Sequence, residues 1–256
     1  MSLSKHPRYF INALEKGLTI LAAFSKLEAT PLGLAEVARL IHMNLPTASR
    51  YLRTLTDLGY LIKDPSTKKY SPSPKVMALG LAFLNNMDLR TRIHPHVVTL
   101  SQEYKVSAQF AILDETEVVF IERIRGPGLV DINLTAGSRL PAYCSALGRA
   151  ILAHLDPDQA SKLIDKMDLK PRTSRTITNK KELMAELERS RRRGYAQNIQ
   201  EIAWGFANFA APIYINREVE GAIGVTFSAD MMKEDDFVDA VIKGTIAAAV
   251  KASIGY

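Results

Sequence analysis

Apolar residues recur at helical spacing through the first part of the chain. Over positions 11–24 they fall at 11, 14, 18, 21 and 22, and over 34–41 at 34, 37, 38 and 41, the stripe of a helix with one buried face. Thr30-Pro31-Leu32-Gly33 links the two. His42-Met43-Asn44 interrupts the second stripe. Pro46, whose fixed φ and missing N–H suit a first helical turn, then opens a third helix with Ala48, Leu52, Leu55 and Leu58 inward and Gly59 ending it. Two runs of strand type follow, 60–63 and 69–71, across a turn at 64–68. The expected unit is a three-helix core with a two-stranded wing.

After Ser71-Pro72-Ser73-Pro74, the residues Val76, Leu79, Gly80, Phe83, Leu84 and Met87 mark a helix with an apolar seam. That seam either packs on its own domain or meets the same helix of a second subunit. Half-site pairing favours a linker helix with dimer contacts. Positions 88–104 read as a helix broken or bent near Pro95. From residue 107 the period changes to two: strands at 108–113 and 118–124 form a hairpin, and a third strand is expected at 130–134. A helix at 145–153 comes next. Asp156, Pro157 and Gln159 then supply an N-cap, a first-turn proline and a capping-box glutamine. A helix at 179–193 ends in Arg191, Arg192 and Arg193 before Gly194, an arginine run expected to complement the helix dipole on a solvated face. Strands at 209–215 and 222–227 precede a closing helix at 237–253. Hairpins mixed with helices predict an α+β fold built on an antiparallel sheet. The expected division is a winged helix-turn-helix over 1–74, a linker helix over 75–87 and a second domain over 88–256.

Charge turns the first unit into a candidate DNA reader. The chain carries 33 Lys and Arg against 27 Asp and Glu; 11 and 5 of these lie in the first 75 residues, and the remaining 22 of each sign cancel. The whole excess of +6 therefore sits on the helical unit, and duplex DNA is the expected partner. Opposite the buried stripe of the third helix, Thr47, Ser49, Arg50, Arg53 and Thr54 offer hydroxyls and guanidinium forks for base edges and phosphates. Lys63, Lys68 and Lys69 on the wing are placed for backbone phosphates. Lys5, His6 and Arg8 belong to a short basic start that either lies along the DNA or frays, the second being expected.

At 256 residues, 47% hydrophobic and 23% charged, the chain has the composition of a globular protein. One cysteine excludes an internal disulfide. With no 18-residue apolar run and no charged-then-apolar leader, neither secretion nor membrane insertion is expected, and the location predicted is cytoplasmic.

The chain resembles the IclR family of bacterial transcriptional regulators nearly end to end. The resemblance is carried by Leu18-Thr19-Ile20-Leu21-Ala22-Ala23-Phe24, by Ala48-Ser49-Arg50-Tyr51-Leu52-Arg53-Thr54-Leu55 with Leu58-Gly59-Tyr60, and by the run from Tyr70 to Gly80. It continues through the run from Gly137 to Ala150, and Glu201 with Gly205 ahead of Ala210-Ala211-Pro212. The stretch from Leu140 to Ala150 is most similar to the subgroup controlling protocatechuate and 4-hydroxybenzoate catabolism. What the resemblance implies is a DNA-binding regulator rather than an enzyme, with a GAF-like effector-binding domain, no cofactor and assembly as dimers or dimers of dimers. It also implies an effector pocket at Ser145, Ala146 and Leu147, at Asn198, Glu201, Trp204 and Asn208, and at Thr226 and Ser228. Some relatives have aspartate in place of Asn198 and cysteine in place of Asn208, which leaves the ligand's identity open. The expected effector is a small organic acid, an aromatic carboxylate held by the N–H groups of residues 145–147, with Tyr143, Phe206 or Trp204 walling the ring. A core or dimer-contact role for Trp204 is an equal alternative.

Two other chemistries compete. Cys144 beside a helix start could act as a nucleophile, with His154 the nearest histidine in sequence, one helix length away. His94 and His96 could hold a metal, although no cysteine or carboxylate stands in register with them.

Overall fold

The computed structural model describes residues 7, 9–24, 31–85, 87–127 and 134–254. The basic residues Lys5, His6 and Arg8, and positions 130–133 of the expected third strand, lie outside these. The chain divides into two compact units, Met1–Asn86 and Met87–Tyr256.

The first unit contains α1 (Asn12–Ala23), α2 (Leu34–Leu40), α3 (Leu45–Asp57), the hairpin β1 (Leu61–Lys63) and β2 (Tyr70–Pro72), and α4 (Pro74–Asn85). Ile20, Phe24, Leu32, Val37, Leu52, Leu55, Leu61 and Tyr70 form its core. Between α2 and α3 the chain turns through a left-handed His42 (φ 51°), with Met43 N–H donating to Ala38 O and His42 N–H to Arg39 O. This paired closure satisfies carbonyls at the end of α2 and sets the direction of α3. Asn44 then caps α3 by accepting from Thr47 N–H at 2.9 Å.

Two expectations fail here. The stripe of α1 expected inward at Ile11, Leu14 and Leu18 is exposed, and Ile20, Ala23 and Phe24 are buried instead. Because α1 is apolar on two faces, its periodicity alone does not say which meets the core. Leu58 is 54% exposed, because α3 ends at Asp57 and the chain swings away through Gly59 at φ 78°. α4 buries none of its described residues, with Met77, Leu79, Leu81 and Phe83 all exposed.

The second unit contains α5 (Asp88–Tyr104), the hairpin β3 (Ser107–Asp114) and β4 (Glu117–Ile124), β5 (Arg139–Pro141), α6 (Ala146–Leu152), α7 (Pro157–Ile164), α8 (Lys180–Arg193), β6 (Ala196–Ile199), β7 (Phe206–Ile215), β8 (Glu218–Ser228) and α9 (Asp235–Ala252). The strands make one antiparallel sheet in the order β5-β4-β3-β8-β7-β6. α5 and α9 pack together on this sheet, and α6, backed by α8, covers the other face. The alternation is visible in β8, where Phe227 meets Phe237 of α9 edge-on while Thr226 turns toward the start of α6. Gly148 brings α6 against the turn at 142–144: a Cβ there would lie 2.4 Å from both Cα and O of Ala142.

α5 is continuous through Pro95 rather than broken at it. Pro95 and Thr91, whose carbonyl loses a partner to the proline, are both exposed, so water can replace the missing bond. In the arginine run of α8, Arg191 and Arg192 are exposed as expected and Arg193 is half-buried. Arg191 donates to Ala153 O and Leu155 O beyond α6, and Arg193 pairs with the buried Glu186 at 2.6 Å.

Candidate functional site

On the first unit, α3 buries Ala48, Leu52 and Leu55, and so turns Arg50, Arg53 and Thr54 to solvent with Thr47 and Ser49 partly exposed beside them. The Thr54 hydroxyl donates to Arg50 O at 2.9 Å. Arg53 approaches Asp57 only loosely, at 4.0 Å, an exposed i,i+4 pair of little worth that leaves the guanidinium available. On the wing, the Asp64 carboxylate accepts from Ser66 Oγ, Ser66 N and Thr67 N at 2.5, 2.7 and 2.8 Å. These bonds, the Ser66 hydroxyl foremost, lower its pKa to about 2. The turn so fixed presents Lys68 and Lys69 to solvent, and Lys63 lies over the Tyr70 ring at 5.3 Å. All eight predicted residues thus lie on α3 or the wing.

In the second unit the sheet and the start of α6 enclose a cavity. Its described lining includes Ser145, Ala146 and Leu147 from α6, Asn208 and Thr226 from the sheet, and a loop cover of Ile202 and Ala203 with Phe206 beside it. Gln109, Phe120, Arg123, Leu134 and Leu140 also line it, none of which the sequence pattern singled out. Thr226 Oγ1 donates to Asn208 Oδ1 at 2.6 Å and receives from Gln109 Nε2 at 2.9 Å. The enclosed space is about 30 Å³. That is room for a water, against the ~150 Å³ of a cavity known to admit benzene, so a ring needs the cover to move.

The other predicted cavity residues point elsewhere. Asn198 stands on the edge strand β6, not in a loop; its amide donates to Cys144 O and its Oδ1 receives Glu201 N–H at 3.0 Å. Tyr143 sends its hydroxyl to Lys170 O, and Ser228 caps the turn after β8 by accepting from Asp230 N–H. Trp204 is 56% exposed beneath the Arg175 guanidinium, so neither the pocket wall nor the core describes it. Glu201 is drawn off by Arg149, whose Nη1 and Nη2 meet its two oxygens at 2.6 and 2.5 Å. The same arginine donates to Tyr143 O and Gln197 O. Glu201 O in turn receives the Thr176 hydroxyl at 2.6 Å. These residues anchor the loop that covers the cavity.

The rival chemistries fail on geometry. Cys144 is buried, and desolvation pushes its thiol up to about 11, the opposite of an activated nucleophile. His154 Nδ1–H donates to Ala150 O at 2.8 Å, and burial lowers its pKa. His94 bonds Glu122, whereas His96 lies with Lys251 on the α9 side, so the two rings share no ion. Among the described residues no cluster of metal-ligating side chains occurs, and no helix is long and apolar enough to cross a membrane.

Two family models match the chain: the IclR helix-turn-helix domain over residues 13–65 and the bacterial transcriptional regulator IclR C-terminal domain over residues 81–254. The Pca regulon regulatory protein of Pseudomonas putida is 32% identical over 206 residues, 80% of this chain and 70% of that protein. The crystal structure of the Thermotoga maritima IclR is similar with a TM-score of 0.74 at 25% identity, covering 96% of this chain and 100% of that one. An IclR homologue from Microbacterium hydrocarbonoxydans, solved in complex with 4-hydroxybenzoate, shares the fold with a TM-score of 0.80 at 23% identity over 94% of this chain and 97% of that one. Proteins of this family are transcriptional regulators, not enzymes. With the C-terminal match alone spanning well over half of its length, this chain belongs to the IclR family of bacterial transcriptional regulators, with a helix-turn-helix DNA-binding domain followed by an effector domain.

Proposed function

We propose that the effector is a small organic acid, an aromatic carboxylate in the first instance, bound in the cavity beneath α6. The observation that carries this reading is the lining itself: Arg123 is its one charged residue among those described, set in a wall that is otherwise apolar or neutral. A guanidinium in such surroundings can meet a carboxylate in exchange for the contacts it already makes, among them Leu134 O at 3.5 Å. Phe120, Leu140, Leu147 and Phe206 suit the flat apolar remainder of an aromatic acid. At the start of α6, Ser145 already gives its N–H to Ala142 O, so Ala146 and Leu147 are the amides left to assist Arg123. That a protein of this fold holds 4-hydroxybenzoate makes that acid the first probe.

In the same reading the DNA-binding unit works as a dimer. Thr47, Ser49, Arg50, Arg53 and Thr54 enter the major groove of one half-site, with Lys63, Lys68 and Lys69 on flanking phosphates. The exposed apolar residues of α4 supply subunit contact.

Calorimetric titration with 4-hydroxybenzoate, protocatechuate and a short keto acid, each beside its neutral amide, tests the effector. Acids should bind and amides should not, and Ser145→Asp, which adds a negative charge at the cavity, should abolish acid binding. Amides binding as tightly as acids would remove the anion reading.

A further inference from the structure

Gln109 projects from β3 into the cavity lining, directly across from Arg123 on β4 and Gly224 on β8. It is 3% exposed. Its Nε2 donates to the Thr226 hydroxyl, and that hydroxyl spends its single proton on Asn208 Oδ1. The direction of this relay leaves Gln109 Oε1 as a buried acceptor with no hydrogen-bond donor among the described residues. Buried amide oxygens are seldom left in that condition, and each one calls for an explanation. Here the acceptor belongs to a side chain that lines a cavity with room for a water, so a donor group of a ligand entering the cavity in place of water can reach it.

We propose that Gln109 reads a hydroxyl group of the effector, which makes it a specificity-determining residue for hydroxylated over unsubstituted acids. The inference rests on the acid reading of the cavity given above. Arg123 receives the carboxylate and Gln109 Oε1 receives the hydroxyl proton, while the hydroxyl oxygen is free to accept from a neighbouring group such as the Asn208 amide. An acid lacking the hydroxyl strands Oε1 in an apolar enclosure, and sites built this way reject such analogues far more strongly than apolar pockets reject a changed methylene.

The test is calorimetric titration of the full-length chain with matched pairs, 4-hydroxybenzoate against benzoate and 4-fluorobenzoate, and lactate against propionate. Wild type should bind the hydroxylated member of a pair at least ten-fold more tightly. Gln109→Met, close in volume and without an acceptor, should bring that ratio to within about two-fold, in part by tightening the binding of benzoate or propionate, which no longer strand Oε1. A ratio near one in wild type, or a preference that survives in Gln109→Met, overturns the role of Gln109 but leaves an acid site standing. Failure of every acid to bind overturns the acid reading and this inference with it. Thermal unfolding without ligand gives an independent check on Gln109→Met. Because Gln109→Met removes the Nε2 bond to Thr226 but no bond at Oε1, Tm should fall by no more than the few degrees that one hydrogen bond is worth, and a fall beyond about 10 °C would show that Oε1 is also bonded within the fold and not kept for a ligand.

Discussion

Arg149 and Glu201 meet side-on inside the second unit, two guanidinium nitrogens on two carboxylate oxygens, both side chains buried. The pair fastens α6 to the loop that covers the cavity, so these two residues hold the fold together at one remove from the cavity lining. Breaking it from one side leaves a buried charge uncompensated, which costs about 3–5 kcal/mol. Glu201→Leu and Arg149→Met should each destabilise the C-terminal unit on that scale in urea unfolding. The double variant Arg149→Met with Glu201→Leu should recover a large part of the loss. Simple additivity of the two single effects would show that the side chains are not coupled.

On DNA, Arg50→Ala and Arg53→Ala should differ in kind. A guanidinium that reads a base relaxes sequence preference by about 1–3 kcal/mol at one position when removed. One that touches phosphate weakens all sequences alike and flattens the salt dependence, log K against log salt, by about 0.9 for each phosphate no longer neutralised. Fluorescence anisotropy across a salt series, on selected and scrambled duplexes, separates the two. Wild-type behaviour in both variants would remove α3 from the groove.

Phe83 is 53% exposed on a helix that buries none of its described residues. Phe83→Asp places a charge in that apolar seam and should weaken dimerisation at least ten-fold by sedimentation velocity, with DNA affinity falling alongside. An unaltered oligomer would move the subunit interface elsewhere.

Several parts of this architecture were legible from residue order. Helix α3 follows from the inward Ala48, Leu52 and Leu55, from Pro46 in its first turn and from Gly59 beyond its end, and the two hairpins of the sheet follow from period-two runs flanked by polar turns. α1 was not legible in its facing, because Leu14 and Leu18 are as apolar as Ile20 and Phe24 and only tertiary packing chooses between them. The cavity was half legible: the start of α6 with Asn208 and Thr226 lines it, but Gln109 and Arg123 were missed. In a half-buried strand a polar residue at alternate positions signals solvent, whereas this sheet is covered by helices on both faces and its inward polar residues look the same. Asn198, Glu201, Trp204 and Tyr143 are near the cavity in sequence, yet their side chains bond or stack elsewhere, a matter of rotamer and partner that spacing does not carry.

Cys144 offers a simple check on the enclosed character of this region. With its thiol pushed up to about 11 by burial, it should resist a disulfide-forming thiol reagent at pH 8 in the native protein and react fully once denatured. Rapid labelling of the native chain would mean that the turn at 142–144 opens readily.

If an acid held in the C-terminal cavity changes how the N-terminal unit binds DNA, the operator itself must report it. The decisive quantity is the dissociation constant for an operator isolated by in vitro selection, with and without saturating 4-hydroxybenzoate, in wild type and in Arg123→Met. Coupling between sites of about 1–3 kcal/mol corresponds to a change of about 5–150-fold. Wild type should shift within that range, whereas Arg123→Met should keep its affinity without ligand and show no shift with it. An operator affinity that does not respond to the acid although calorimetry shows it bound, or a full shift in Arg123→Met, would contradict the coupling of this cavity to DNA.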